Sequence, residues 1–317
     1  IDYTGGGCPH ILAEPMRTNL IPYSEDFTAG GWSSFSQGTT PTLTSGFTAP
    51  DGSSNAYKIS NPNKDSLWGY DGVADTNYAR TIYARTVSGT GTISLLSKNG
   101  NADNVFTLTE SWQRFEVNTA ALVPTIFYAV DFRVSGNLTE LLIWGGQSEV
   151  GSYATSYIPN FGTALGVTRN QDIFTRDGIG SLINSTEGVL FLEMAALDND
   201  GTSRQLSLSD GSSSNNKLSI IYTSTTNQIQ AFIRASGSIS FNETFSLTNA
   251  ATFNKIAIKW KLNDFALWVN GIEVSSDFTG AAPVGLNELS FDDADGTSKF
   301  FGKVKQLQVY DTALTDE

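Results

Sequence analysis

Cysteine and histidine are almost missing from this chain of 317 residues, which holds one of each. A lone Cys8 excludes an intramolecular disulfide and any zinc site built on several thiolates, so the packed cores must carry the stability. His10, the sole imidazole, stands two residues from that thiol, and no oxyanion hole or orienting acid is legible beside the pair, so nucleophilic catalysis is not expected. Charge is sparse as well. Asp, Glu, Lys and Arg make up 16% of the residues, against roughly 25% in average soluble proteins, and 19 basic against 32 acidic residues leave a formal charge of −13. The basic residues are scattered, so nothing would neutralise a phosphate backbone or an anionic membrane, and nucleic acid is not an expected partner. No apolar run reaches the ~18 residues that would cross a bilayer as a helix, so membrane insertion is not expected. The chain begins at Ile1 without a charged-then-apolar leader and reads as a processed form or as part of a longer polypeptide.

What is present is a surface of hydroxyls, amides and glycine set between short apolar runs. NAYKIS (55–60), YARTIYARTVSG (78–89), GTISLLSK (91–98), WQRFEVNT (112–119), IFYAVDFRV (126–134) and ELLIWGGQSEVG (140–151) are short, β-branched or aromatic, and closed by turn residues. That spacing predicts an antiparallel sandwich or jelly roll. A second block, from GVLFLEMAALD (188–198) to GKVKQLQVY (302–310), repeats the style without repeating the sequence. Its last segment sets Val304, Leu307 and Val309 against Lys303, Lys305, Gln306 and Gln308, the pattern of a strand with one wet face. VNGIEV (269–274) predicts a tight hairpin, because Asn-Gly accepts positive φ at both central positions. Length suits two domains, and the polar, glycine-punctuated stretch at 165–180 suits a boundary. The expected organisation is an extended lead-in over 1–17, a jelly roll over 18–170 and a second sandwich over 171–317. The fold class is all-β, with two tandem antiparallel β-sandwiches.

Longer motifs carry resemblances. KIAIKWKLNDFALWVNGIEV (255–274), read with FFGKVKQLQVYDTALTDE (300–317), resembles the laminin-G-like and concanavalin A-like lectin and glucanase sandwich over the last 145 residues or so. TNLIPYSEDFTAGGW (18–32) with APDGSSNAYKI (49–59) resembles the opening of jelly-roll modules in bacteriophage fibre and spike proteins and in carbohydrate-binding modules. The pair formed by GGCPHILAEPMRTNLIPYSEDF (6–27) and ATSYIPNFGTALGVTRNQD (154–172) resembles an element of phage and prophage structural proteins. These resemblances imply non-catalytic glycan recognition for host attachment by a phage or prophage fibre or spike protein, on the virion surface or outside the cell. The implied partners are an extracellular or cell-surface polysaccharide, other virion proteins and further copies of the chain, most plainly in a trimer. Two alternatives stay open. One is a structural capsid or tail decoration protein, and the other is an accessory binding region of a polysaccharide-degrading enzyme.

The residues narrow the chemistry. Glucanases of the second fold carry alternating carboxylates, E-x-D-x-E, on one strand, whereas here Glu193 is followed by Met194, Ala195, Ala196 and Leu197. Without a carboxylate pair to flank a glycosidic bond, hydrolysis is not expected. Sugar binding needs exposed rings with polar neighbours. Trp68 and Tyr70, in the polar, glycine-flanked NPNKDSLWGYDG (61–72), are the candidates, with Asn61, Lys64 and Asp65 as hydrogen-bonding groups. Trp112, Trp144, Trp260 and Trp268 fall in strand patterns and are expected in the core, and Trp32 is expected to pack. Calcium is the one expected cofactor, since DNDG (Asp198, Asp200) and DDADG (Asp292, Asp293, Asp295) offer hard oxygen ligands, although such turns also form on their own.

Overall fold

The computed structural model describes residues 9–73, 78–97, 103–118 and 125–314. Cys8 and the last residues of GTISLLSK and WQRFEVNT lie outside them. Contacts divide the chain into two units, residues 16–170 and residues 1–15 with 171–317, called here the N-terminal and C-terminal units. Among the described residues the only helix is a single 3-10 turn, Gly180–Leu182. Every pairing between strands is antiparallel, and each unit is a β-sandwich.

The first strand, β1 (Ile11–Ala13), belongs to the C-terminal unit. The N-terminal unit follows with β2 (Arg17–Asn19), β3 (Trp32–Ser34), β4 (Thr42–Phe47), β5 (Ala56–Ser60), β6 (Leu67–Val73) and β7 (Tyr78–Arg85). It continues with β8 (Gly91–Ser97), β9 (Val105–Leu108), β10 (Gln113–Val117), β11 (Thr125–Asp131), β12 (Glu140–Val150) and β13 (Val167–Arg169). Two five-stranded sheets, β10-β7-β12-β5-β4 and β3-β6-β11-β8-β9, face each other, and β2 pairs with β13. Ile59, Ile82 and Ile143 of one sheet meet Trp32, Trp68, Ile93 and Phe127 of the other in a single core. Trp144 is buried too, but in a satellite cluster with Ala49 and Ala56, against which the half-buried Trp112 and Tyr83 pack.

The C-terminal unit holds β14 (Thr175–Arg176), β15 (Glu187–Ala196), β16 (Arg204–Ser209), β17 (Lys217–Tyr222), β18 (Gln228–Ala235) and β19 (Ser238–Ser246). It ends with β20 (Asn254–Lys261), β21 (Phe265–Val269), β22 (Ile272–Asp277), β23 (Glu288–Ser290) and β24 (Gly302–Tyr310). Its sheets run β1-β24-β15-β20-β21-β22 and β14-β23-β16-β17-β18-β19. The Asn-Gly hairpin between β21 and β22 forms as its sequence requires, with φ of 52° at Asn270 and 85° at Gly271. In β24 the apolar spacing breaks step between Val304 and Leu307. A bulge against β15 at Glu193/Met194 takes up the odd residue, so Val304, Leu307 and Val309 all reach the core.

Two readings of the sequence change here. The stretch expected as a lead-in contributes β1, whose Ile11, Leu12 and Ala13 pair with Val304, Lys303 and Gly302, and Ala13 is fully buried in the core of the C-terminal unit. Trp260 is buried, with its indole N–H donating to the Ser185 carbonyl at 3.1 Å, but Trp268 is not in the core. Alternation along β21 sends Phe265, Leu267 and Val269 inward, which leaves Trp268 half-exposed on the outer face.

A chain that starts at Met16 uncovers part of the β24 edge and removes Ala13 from the core. In scanning calorimetry it should lower the melting temperature of the C-terminal unit by several degrees and leave the other unit unchanged. An unaltered trace would remove β1 from the account of stability.

Candidate functional site

The segment proposed from sequence as a sugar-binding loop is partly strand and wholly engaged. Trp68 lies in β6 with 9% of its surface exposed, and its indole N–H donates to the Phe27 carbonyl at 3.1 Å. Tyr70 lies two residues on, half-buried, edge-on to Trp32 at 5.4 Å and so close over Gly31 that a Cβ there would stand 2.4 Å from its ring. Both side chains point toward the core because they pair across the sheet with Ser34 and Trp32 of β3. The polar neighbours form a staple. Asn61 is buried and bonds to the Asp65 N–H and the Thr39 carbonyl. Asp65 accepts from the Thr39 N–H and hydroxyl, both at 3.0 Å, and that N–H above all holds its carboxyl below the usual range. Lys64 donates to the Gly136 carbonyl. Glycine and asparagine flanks suggested a loop because they mark its end, while the ring positions obey the strand's alternation.

The five aspartates proposed for calcium are also held by protein groups. Arg204 contacts both oxygens of Asp200 at 2.7 Å. Burial pushes that carboxyl up, but the Thr202 N–H and Arg204 outweigh it and hold it below its ordinary range. Lys217 pairs with Asp293. Asp198, Asp292 and Asp295 accept N–H groups one or two residues along their own turns, at 2.7, 2.8 and 2.9 Å. Among the described residues no three His, Cys, Asp or Glu side chains converge, and calcium would have to displace Arg204 and Lys217 from their partners.

A different face of the C-terminal unit gathers sugar-binding chemistry. On the sheet β14-β23-β16-β17-β18-β19, inward Leu206, Leu208, Leu218, Ile220, Ala231 and Ile233 fill the core, so the intervening residues form the outer face. Register places Ser290, Ser207, Ser219, Phe232 and Asn242 side by side across five strands. Beside them run Ser209, Lys217 and Arg234, and on the other flank Gln205, Ile221, Gln230 and Thr244. Phe232 is half-buried between two cations, Lys217 Nζ at 5.4 Å and Arg234 Cζ at 5.3 Å from its ring centre.

The floor of this face is tightly knit but incomplete. Ser207 Oγ donates to the Asp292 carbonyl at 2.7 Å and lies 3.0 Å from Ser290 Oγ. Gln230 donates to Asn242, and Arg234 reaches the Ser213 carbonyl at 3.4 Å. Ser219 Oγ and Gln205 Oε1 are buried without a partner among the described residues. At the rim, burial raises the Glu288 carboxyl above its usual range, helped by the charges of Asp292 and Asp177. The serines, Gln205 and Lys217 of this face are buried, so what it presents is the Phe232 ring beside Gln230, Arg234, Asn242 and Thr244. By contrast, the cleft of about 390 Å³ lined by Ile11, Ile173, Phe174, Leu289, Phe291 and Leu307 is apolar apart from Thr175 and Arg176. None of the Phe232 group was singled out from sequence, because its members are spread over five strands, no more than three to a strand.

No protein-family model matches this chain, and no curated protein matches it. Solved structures are similar to part of it. They include the CBM40 module of a Ruminococcus gnavus IT-sialidase bound to α2,3-sialyllactose, at 14% identity over 45% of this chain and 94% of that one, with a TM-score of 0.37. Sheep galectin-11 with glycerol is 7% identical over 44% and 97%, at 0.31. The carbohydrate-binding module CBM66 of Bacillus subtilis is 8% identical over 39% and 75%, at 0.30. Likenesses this weak say nothing of ligand.

Trp68→Ala should destabilise the N-terminal unit by about 3–5 kcal/mol, the usual cost of truncating a buried tryptophan. Denaturant unfolding checks this. A loss below about 1 kcal/mol would mean the ring is free to serve a ligand.

Proposed function

We propose that the C-terminal unit binds glycans without acting on them, on the sheet face around Phe232, as the host-attachment part of a phage or prophage fibre or spike protein. The observation that carries the glycan reading is the half-buried ring of Phe232 with exposed Asn242 and Thr244 and half-buried Gln230 and Arg234 around it. A pyranose is amphipathic, with C–H groups that stack on an aromatic face and hydroxyls that need donors and acceptors around it. Phe232 supplies the first, and Asn242, Thr244, Gln230 and Arg234, which reach the surface around it, supply the second.

Binding without turnover fits a face whose aligned side chains are hydroxyls, amides, cations, an isoleucine and a phenyl ring, with Glu288 alone bringing a carboxylate to the three rows. A ligand with little charge fits as well, because Lys217 is already neutralised by Asp293 and the whole chain is acidic. The virion setting rests on the paired motifs at 6–27 and 154–172 and remains part of the proposal. Single-sugar contacts of this kind are weak, so display in several copies, as in a trimeric fibre, would supply avidity.

A glycan array probed with the multivalently presented chain should give saturable signal on one class of bacterial or algal surface polysaccharide. Phe232→Ala should weaken it about tenfold, close to the 1.4 kcal/mol that one stacked ring contributes, with little change in melting temperature. Running the array with and without calcium tests the two Asp turns. Silence across the array would favour a decoration protein, and release of sugar from any polymer would overturn the non-catalytic reading.

A further inference from the structure

The opposite sheet of the same unit carries a second outward run. Gln308, Phe191, Ala257, Trp268 and Glu273 lie side by side across β24, β15, β20, β21 and β22. Their strand neighbours Leu190, Leu192, Ile256, Ile258, Leu267 and Val269 fill the core, so this run faces outward. Phe191, Ala257 and Trp268 are half-exposed, while Gln308 and Glu273 at the two ends are exposed. Phe191 and Trp268 stand two strands apart, about 10 Å at the usual interstrand spacing. Between them Ala257 keeps the surface low, since any longer side chain would rise between the rings.

The charges beside this strip are matched. On one flank Lys259 pairs with Asp264 at 2.8 Å, its ammonium 5.3 Å from the Trp268 ring centre, and Lys261 pairs with Glu187 at 3.1 Å. On the other, Glu193 lies 3.7 Å from Lys305. In the next outward row Val189, Lys259 and Ala266 are buried, so the accessible apolar surface is that of Phe191, Ala257 and Trp268, short of the about 800 Å² that a protein interface takes from each partner. It suits a thin, amphipathic and uncharged ligand.

We propose that this run is a second saccharide-binding strip, which takes one extended, neutral polysaccharide chain with alternate sugar rings stacked on Phe191 and Trp268. Gln308 and Glu273 meet hydroxyls at its ends. The strip is built on a different sheet from the Phe232 face and requires no ligand there.

Electrophoresis of the full chain through gels containing a neutral β-linked glucan, xylan or mannan tests it. The chain should be retarded by at least one polymer, and Trp268→Ala and Phe191→Ala should each remove most of that retardation. Trp268→Phe should keep part of it, and Phe232→Ala should keep most of it. Should Trp268→Ala fold poorly, Ala257→Arg blocks the strip without deleting a packed ring and should give the same loss. No retardation by any neutral polymer, or equal retardation of parent and Trp268→Ala, would overturn the proposal. So would a fall in sedimentation coefficient in Trp268→Ala, which would make the strip a contact between copies of this chain. Loss in Phe232→Ala with retention in Trp268→Ala would leave the glycan reading standing and remove the strip.

Discussion

Strand register is the constraint on which the rest of the structure depends. Side chains alternate across a sheet with a period of two, so a slip of one residue would exchange the buried and exposed faces of a strand. The C-terminal unit shows how firmly this is held. At β24 the sequence inserts one residue too many between Val304 and Leu307, and a bulge opposite Glu193 and Met194 absorbs it. Without that bulge Leu307 and Val309 would turn to solvent and Gln306 and Gln308 to the core. The burial of uncharged side chains against charged or amide ones is worth several kcal/mol over such a strand, so the bulged register wins decisively.

Register also creates both outward runs. Phe232 sits beside Ser219 and Asn242, and Trp268 beside Ala257, only because four separate hairpins keep step. The Asn270-Gly271 turn contributes directly, since two positive-φ residues fix the offset between Trp268 and Glu273. Ions then shape what the register provides. Lys217 is buried to 4% exposure with Asp293 as its partner, an arrangement that costs desolvation on both sides and yet pins the 292–298 turn beside the serine floor. Removing Asp293 would leave the buried Lys217 charge unmatched.

The fold was legible because it is written in local pattern. Alternating β-branched residues, turn residues at short intervals and one Asn-Gly pair are all readable along the chain, and the all-β sandwich follows from them. The sites were not, for two distinct reasons. In FALWV the alternation that buries Phe265, Leu267 and Val269 already turned Trp268 outward, but reading tryptophan by residue type rather than by phase placed it in the core. In SLWGYDG the error ran the other way, where polar and glycine flanks hid a strand whose rings point inward. The Phe232 group had no linear signature at all. Its members come from five strands and become neighbours only through pairings between segments up to roughly eighty residues apart, as with Ser207 and Ser290, which no local pattern specifies.

The two runs differ in a way that bears on what a sugar polymer would experience. Around Phe232 the polar groups at the surface already bond to protein atoms, Gln230 to Asn242 and Arg234 to the Ser213 carbonyl, so on the proposed reading a ligand would have to replace those bonds and a misplaced hydroxyl would be penalised. Along Phe191 and Trp268 two rings lie apart with few polar groups between them, and stacking tolerates many sugars because every pyranose has an apolar face. If both faces bind as proposed, one would serve selectivity and the other grip. A selective contact that is weak alone gains from a tolerant one on the same rigid sandwich, because holding a polymer on the strip raises the concentration of its other segments around the unit. That coupling would need no conformational change, only a ligand long enough to reach both sheets, and with it the proposed pair of faces would favour polymers over short oligosaccharides.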